Sequence, residues 1–255
     1  MKNGSFENGV VDVLFLGTGN AFGSGGRNPV SIMVQGEDAG ALLDCGPSAL
    51  RMLKQLGRSA ARIDFVFISH HHGDHFSGLP FLLLEFQHQE IRKRPLTVIG
   101  PRGTQQIIER VSSLLFPGLT EKPLGFELAY REIEPGETEQ WGSLEATAFK
   151  VAHFPKGIAL GYRLRVHERT VVYSGDTEWT DELGRQSQGA DLFICECSSF
   201  EKKMDYHMSY RELEAHRTEI GAKRTLLLHA DDDVLRRPSE LVGFELAYDG
   251  QEVRL

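Results

Sequence analysis

The sequence predicts an α/β fold, and two patterns carry that prediction. Short apolar or β-branched runs alternate along the chain with stretches whose periodicity suits amphipathic helices. Several of the runs stop at a histidine or an aspartate, the position at which a parallel or mixed sheet presents its functional groups. Size sets the third bound. The 255 residues, 40 % of them hydrophobic, can bury a large core, and no Pro/Ser-rich linker divides them, so residues 1–255 are expected to form a single domain.

The first strand is read at Val10–Leu16, followed by the glycine-dense Gly17–Gly26 and a second strand at Val30–Val34. The glycine run lacks G-x-G-x-x-G spacing and a Lys-Ser/Thr ending, and it returns to a strand rather than opening a helix, which excludes a dinucleotide or P-loop site. Its glycines instead let the backbone approach a cleft, with Asn28 bonding the turn and Arg27 reaching toward an anion. Leu43-Asp44-Cys45-Gly46 reads as a strand end, Ser48–Leu56 as a helix and Ile63–Ile68 as a buried strand. Helices are expected at Leu79–Arg92 and Thr104–Leu115, with Arg92-Lys93-Arg94 forming a solvated helix end before Pro95.

Gly-Phe-Glu-Leu-Ala-Tyr occurs twice, at Gly125–Tyr130 and Gly243–Tyr248, 118 residues apart. That separation is no solenoid period, so the copies are read as two edge elements. The two halves of the chain are expected to meet near Leu144. Beyond it, Thr147–Ala152 is a strand, and Leu160–Val166 and Thr170–Tyr173 form a hairpin about a polar turn at His167–Arg169. A helix at Thr180–Gln188, a strand at Leu192–Cys197 and a helix at Tyr210–Ile220 follow. Ser209 suits the N-cap of that last helix, with Glu212 at the N3 position of a capping box. Thr225–Leu228 is a strand, a helical turn falls at Val234–Arg236 or Pro238–Leu241, and Asp249-Gly250 turns the chain into a terminal strand at Gln251–Leu255.

The chemistry concentrates in Ser69-His70-His71-His72-Gly73-Asp74-His75, directly after the Ile63–Ile68 run. Alternation at a strand end aims His70 and His72 at one cation while Asp74 and His75 serve a second. His153, Asp176 and His229 each follow another short apolar run. Together they close two sites: His70, His72 and His153 around one metal, Asp74, His75 and His229 around the other, and the Asp176 carboxylate reaching both. Imidazole with carboxylate suits two divalent ions, zinc first, with manganese or iron as alternative occupants. Such a pair supplies a water nucleophile activated near neutral pH. His71, between two ligands, should point away from the metals, and His88, His167 and His216 fall in solvated contexts.

Ser69–Gly78, His153, Gly175-Asp176-Thr177 and His229 together resemble the metallo-β-lactamase fold hydrolases. Gly17-Thr18-Gly19 with Arg27-Asn28-Pro29, Leu43-Asp44-Cys45-Gly46 and His207-Met208-Ser209 look more specifically like ribonuclease Z and its phosphodiesterase relatives. The resemblance runs from about Val11 to the carboxyl terminus. It implies a four-layer αββα sandwich, the seven ligands named above and phosphodiester substrates. It also implies a catalytic place for His207, beside a helix start, as a donor to phosphate or to the leaving alkoxide. Asp74 and His207 are accordingly the expected catalytic residues, and Glu178 and Trp179 are expected to line the mouth.

Ribonuclease Z proteins of the transfer-RNA processing type commonly carry a long flexible arm between the positions matching His153 and Asp176. Only 22 residues lie between those positions here, and the hairpin occupies most of them. Charge points the same way. With 28 basic and 36 acidic residues, a net charge of −8 and no basic block longer than Arg92–Arg94, the chain lacks the track that grips a long nucleic acid. Bound metal ions would still draw a small anion to the site.

The expected substrate is therefore a small or cyclic nucleotide-like phosphodiester, with short RNA, a transfer-RNA 3′ end or a carboxyl ester such as a lactone as alternatives. Loops at Phe22–Arg27, Phe154–Ile158 and Phe200–His207 are expected to set that choice. Met1–Gly9 has no signal-type apolar core and no run approaches a membrane span, so no membrane partner and a cytoplasmic location are expected. Three cysteines fit free thiols in a reducing compartment. Cys45 and Asp44 are placed under the metal site, Asp44 accepting from a liganding histidine. A homodimer, the commonest assembly, is the default oligomer.

Overall fold

The computed structural model describes residues 9–119, 123–153 and 157–255. Phe154, Pro155 and Lys156 of the expected rim loop, and Met1–Gly9 apart from Gly9, lie outside the described residues. The first sheet is built from β1 (Asp12–Gly17), β2 (Ser31–Gln35), β3 (Gly40–Leu43), β4 (Phe65–Phe67), β5 (Leu96–Gly100) and β6 (Leu128–Glu132). The second comprises β7 (Thr138–Trp141), β8 (Leu144–Lys150), β9 (Leu160–Val166), β10 (Arg169–Tyr173), β11 (Leu192–Glu196), β12 (Thr225–Leu228) and β13 (Glu245–Leu246). β14 (Glu252–Arg254) returns to the first sheet beside β1, giving the orders β14-β1-β2-β3-β4-β5-β6 and β13-β12-β11-β10-β9-β8-β7.

Alternation within these strands produces the layers. In β1, Val13 and Phe15 enter a core shared with Tyr162, Leu164, Ile194 and Leu228 of the second sheet. Leu14 and Leu16 point the other way, onto α1 (Ala49–Gln55), α3 (Leu79–His88) and α4 (Thr104–Leu115), through Leu53, Leu83, Phe86 and Ile108. The outer face of the second sheet is covered likewise. Phe193, Cys195 and Leu227 pack on Leu183 of α5 (Asp181–Ser187), Leu213 of α6 (Tyr210–Ala215) and Val234 of α7 (Asp232–Leu235). Burial of both strand faces explains why the strands read as continuous apolar runs. The result is the expected four-layer αββα sandwich of the metallo-β-lactamase fold.

Strand direction decides where the functional groups gather. β3, β4, β5 and β6 are mutually parallel, as are β10, β11 and β12, so their carboxyl ends lie together at one end of each sheet. β8 is antiparallel to β9, and β9 to β10, so β8 also ends there. Hydrogen bonds stitch the sheets at that end, among them Leu160 N–H to the Ser69 carbonyl at 2.9 Å, Tyr162 O–H to the Ile68 carbonyl at 2.7 Å and His229 N–H to the Thr18 carbonyl at 2.8 Å.

Several expectations change. The second sheet begins at β7, before Leu144; β7 is a polar edge strand, Thr-Glu-Gln-Trp, whose sequence shows no apolar alternation. β5 likewise escapes the patterning. α3 stops at His88, and Arg92 is no solvated helix end: it is buried, donating to Asp64 Oδ1 at 3.2 Å and to the Pro95 carbonyl at 2.6 Å. Arg94 donates to Asp64 Oδ2 at 2.8 Å, so one carboxylate takes up two of the three cations in the run. The repeated hexapeptide does end in edge strands, β6 and β13, one per sheet. Among the described residues no helix is long and apolar enough to cross a membrane.

Candidate metal centre

The seven expected ligands converge at the carboxyl ends of β4, β8, β10 and β12. β4 runs into His70 and His72, and His72 caps the short α2 (Gly73–Phe76), which carries Asp74 and His75. Glycine makes this turn possible. A side chain on Gly78 would lie 2.0 Å from the Gly46 carbonyl, so only glycine lets α2 settle on the Asp44–Gly46 turn. There the Cys45 N–H donates to the His75 carbonyl at 2.7 Å and the Gly78 N–H to the Cys45 carbonyl at 2.8 Å.

Donor atoms of His70, His72, His153 and Asp176 all lie within 4.8 Å of one another, and so do those of Asp74, His75 and His229. Asp176 Oδ2 stands between the groups, 3.9 Å from Nε2 of both His70 and His153, 3.4 Å from His75 Nε2 and 3.3 Å from His229 Nε2. Asp74 Oδ2 is 3.3 Å from His75 Nε2 and 3.5 Å from His229 Nε2.

The far sides of the rings determine what the near sides offer. His75 Nδ1–H donates to Asp44 Oδ2 at 2.7 Å, His153 Nδ1–H to the Tyr206 carbonyl at 2.8 Å, and His70 Nδ1–H to Ser69 Oγ at 3.0 Å. His229 Nδ1 faces Ser198 Oγ at 3.2 Å and Glu196 Oε1 at 3.5 Å. With each Nδ1 engaged outward, each Nε2 carries its lone pair inward. Nε2 of His70, His75 and His229 and Oδ1 of Asp176 are buried without a hydrogen-bond partner. Buried polar atoms are seldom left so, and these four belong to the two donor groups, where cations would be their partners. His72 presents Nδ1, 3.1 Å from His153 Nε2, a close pair of ring nitrogens that a shared cation also suits.

Electrostatics agree. Burial would lower the His229 pKa, yet Asp176, with Asp74 and Glu196, pushes it up to about 10. Burial would raise Asp74, but hydrogen bonds from His229 and His75 hold its carboxyl well below the usual range. The Asp74, His75 and His229 side thus favours positive charge, while burial and the neighbouring histidines lower the His70 and His72 pKa values and keep those rings neutral as ligands must be. These donor clusters are consistent with a dinuclear metal site.

Sequence reasoning missed Glu196. It is fully buried, accepts from the Thr177 N–H and from Ser198 Oγ at 2.6 Å, and takes the His207 Nδ1–H through a short contact. The signal was available, since Glu196 is the polar residue at the carboxyl end of β11, as Asp176 and His229 follow their own runs. Period two turns Cys195 and Cys197 to the helix layer and Glu196 to the site. Donor atoms of Glu196, His207, Asp176 and His229 also lie within 4.8 Å of one another. Burial lowers and the Glu196 hydrogen bond raises the His207 pKa, with a net rise. The His207 ring stacks on His229 at 5.7 Å and 10° and lies 4.9 Å from the His153 ring. Ser209 caps α6 in a full capping box with Glu212, which fixes the chain just after His207.

Other expectations divide. Asp44 takes His75 as expected, and Cys45 lies buried beside it. His71 turns away to Thr104 Oγ1 at 2.8 Å. Arg27 does not reach for an anion; it donates to Thr18 Oγ1 at 3.1 Å and to the Ala247 carbonyl. Trp179 leaves the mouth to stack on His216 at 4.5 Å and 11°, so His216 is not simply solvated. Glu178 stays at the rim, accepting the Tyr206 N–H at 2.6 Å.

The family model described as Anti-Pycsar protein Apyc1 matches residues 11–252. The chain belongs to the Apyc1 family. This Apyc1 family member is also 29 % identical over 286 residues to ribonuclease Z of Lachnoclostridium phytofermentans, covering 91 % of this chain and 90 % of that one. Human tRNase Z, short form (ELAC1), superposes with a TM-score of 0.79 at 26 % identity over 95 % of this chain and 98 % of that one. The metallo-β-lactamase fold protein YhfI of Bacillus subtilis matches with a TM-score of 0.79 over 96 % of this chain and 99 % of that one, at 21 % identity. With the donor clusters in place, this Apyc1 family protein is a dinuclear metal-binding hydrolase of the metallo-β-lactamase superfamily.

Proposed function

We propose that this chain is a single-domain phosphodiesterase that hydrolyses small, nucleotide-like and in particular cyclic phosphodiesters. The observation that carries the reading is the buried Glu196 bound to His207 Nδ1 at the lip of the donor clusters. His70, His72 and His153 would hold one divalent ion, Asp74, His75 and His229 the other, and Asp176 both. Zinc suits this nitrogen and oxygen set, with manganese or iron as alternatives. When bound, the pair supplies an activated water and Lewis acidity toward phosphoryl oxygens.

The chain's own residues do the rest. Asp74 is a ligand that also orients the attacking water. Glu196 engages His207 Nδ1, leaving Nε2 to donate to a phosphoryl oxygen and then to protonate the departing alkoxide. Three buried free cysteines support a cytosolic setting, and a homodimer remains the default assembly.

Transfer-RNA 3′ processing is the second reading, favoured by the ribonuclease Z relatives. The tight β9–β10 hairpin, turned by His167 and Glu168 where an arm would insert, weighs against it. Metal-quantified protein should be assayed on bis-p-nitrophenyl phosphate, 2′,3′- and 3′,5′-cyclic nucleotides and a 3′-extended precursor transfer RNA. Cleavage of the small diesters without precursor processing supports the phosphodiesterase. Efficient precursor cleavage overturns it in favour of the second reading.

A further inference from the structure

Two exposed aromatic residues, Tyr206 and Phe22, have no part in the donor clusters, yet their backbones are tied to the residues around them. Tyr206 has φ = 67°, a region that a bulky aromatic residue occupies only under strain. Its main chain is fixed on both sides, the N–H to Glu178 Oε1 at 2.6 Å and the carbonyl to His153 Nδ1 at 2.8 Å. Glycine would make both bonds without the strain. The residue is nevertheless 40 % exposed, so burial does little to offset what the backbone loses.

Phe22 is 89 % exposed, on the glycine-rich loop after β1. Its N–H donates to Asn20 Oδ1 at 3.1 Å, and Asn20 Nδ2 donates to Asp231 Oδ1 at 2.8 Å. Farther along the loop, the Gly25 N–H donates to Asp232 Oδ1 at 2.8 Å, so both flanks of Phe22 are pinned. The Asp231 N–H donates to the Ser198 carbonyl at 2.9 Å, and Ser198 Oγ lies 3.2 Å from His229 Nδ1 and 3.3 Å from His207 Nδ1. Phe22 is therefore tied to the His229 side of the centre and Tyr206 to the His153 side. His207 stands between them.

We propose that Tyr206 and Phe22 form a nucleobase subsite, their ring faces holding the base of a nucleoside phosphodiester while its phosphorus lies against His207 and the donor clusters. The inference rests on the phosphodiesterase reading. Every base has a π face, so the subsite selects for the presence of a base more than for its identity. It also accounts for an aromatic residue kept at a position whose backbone favours glycine.

The test uses metal-loaded wild type, Tyr206→Gly, Phe22→Ala, and the conservative Tyr206→Phe and Phe22→Trp. Substrates are 2′,3′-cyclic nucleotides and glycerol 1,2-cyclic phosphate, which keeps the strained cyclic diester and lacks the base. Tyr206→Gly suits the positive φ, so loss of fold does not confound it. The expected result is a rise in nucleotide KM of roughly 5- to 150-fold per ring removed. The ratio of kcat/KM for nucleotide over glycerol cyclic phosphate falls by the same factor, and the conservative variants restore it. A purely structural role would lower both substrates together and leave the ratio unmoved. An unmoved ratio, or a wild type showing no preference for nucleotide, overturns the subsite while the phosphodiesterase stands. A wild type inert toward both cyclic diesters but active on bis-p-nitrophenyl phosphate overturns the subsite alone, and one inert toward all of these and toward 3′,5′-cyclic nucleotides overturns the two together.

Discussion

Asp44 lies beneath the metal centre and touches no substrate, yet replacing it by asparagine should loosen the metal site measurably. Its Oδ1 accepts the Ser69 N–H at 2.7 Å, and its Oδ2 accepts from His75 Nδ1 and Ser69 Oγ, both at 2.7 Å, and from Tyr173 O–H at 2.6 Å. The residue has φ = 55°, which asparagine tolerates nearly as well as aspartate, so Asp44→Asn keeps the backbone. The new amide must place its NH₂ on one side or the other. Toward Ser69 N–H it meets a backbone donor that cannot rotate away. Toward Oδ2 the hydroxyls of Ser69 and Tyr173 can turn to accept, but His75 must move its proton from Nδ1 to Nε2. That shift removes the lone pair His75 offers to the centre.

Either outcome leaves a buried group mismatched, at a cost of about 1–3 kcal/mol. We therefore expect metal affinity to fall by about 10- to 100-fold, the range typical of lost outer partners of metal-liganding histidines. Competition against a chromophoric chelator measures this directly, with hydrolysis of bis-p-nitrophenyl phosphate at limiting and excess metal as the second readout. Activity should fall at limiting metal and recover in part at excess. Affinity within twofold of wild type would refute the claim that Asp44 fixes the His75 tautomer.

Other perturbations separate the remaining roles. Asp176→Ala should lose both metals and activity together, because one carboxylate faces both donor groups; elemental analysis showing two ions and full turnover would remove the bridging role. His207→Ala should keep its metal content while turnover of a diester with a poor leaving group drops roughly 10²–10⁴-fold. An unchanged rate on that substrate would take His207 out of the reaction. Chelation should lower thermal stability, since ligand at a thousandfold over Kd contributes about 4 kcal/mol; a melting temperature indifferent to chelator would contradict the buried unpartnered nitrogens. Far from the site, burial would raise the Asp191 pKa, but Lys223 and the Thr170 N–H, both 2.8 Å away, lower it overall. A carboxylate with a depressed folded pKa contributes stability above its unfolded value of about 3.9 and loses it as pH falls through the folded value. Urea midpoints of wild type and Asp191→Asn should thus converge as pH is taken from 7 toward 3, and a constant gap would count against the pairing.

Legibility in the sequence followed one physical rule and failed where the rule was applied incompletely. Strands buried on both faces must be apolar throughout, so β1, β4, β10, β11 and β12 stood out, and any polar residue at their carboxyl ends had to be there for a reason. That rule pointed to His70, Asp176 and His229, whereas His153 follows the alternating β8, and the rule would have pointed to Glu196 had the Leu192–Cys197 run been read past Cys195. β7 could not be found this way, because an edge strand open to solvent needs no apolar face. Arg92 shows the converse failure. A run of three cations looks solvated, but Asp64, 28 residues earlier in sequence, becomes its neighbour only when β4 and β5 pair.

The same distinction explains why the donor set was readable and the rim was not. A ligand must be one of a few residue types at the end of a strand, so composition and period together nearly determine it. Tyr206 and Phe22 are ordinary aromatics in polar or glycine-rich loops. What singles them out is a positive φ on one and an almost bare ring on the other. Both are properties of the folded chain. If the nucleobase subsite holds, the hydrolytic centre and the choice of substrate are encoded differently in this protein. The centre is written in strand ends that the core fixes, and the choice lies in loops that strain and exposure mark only after folding.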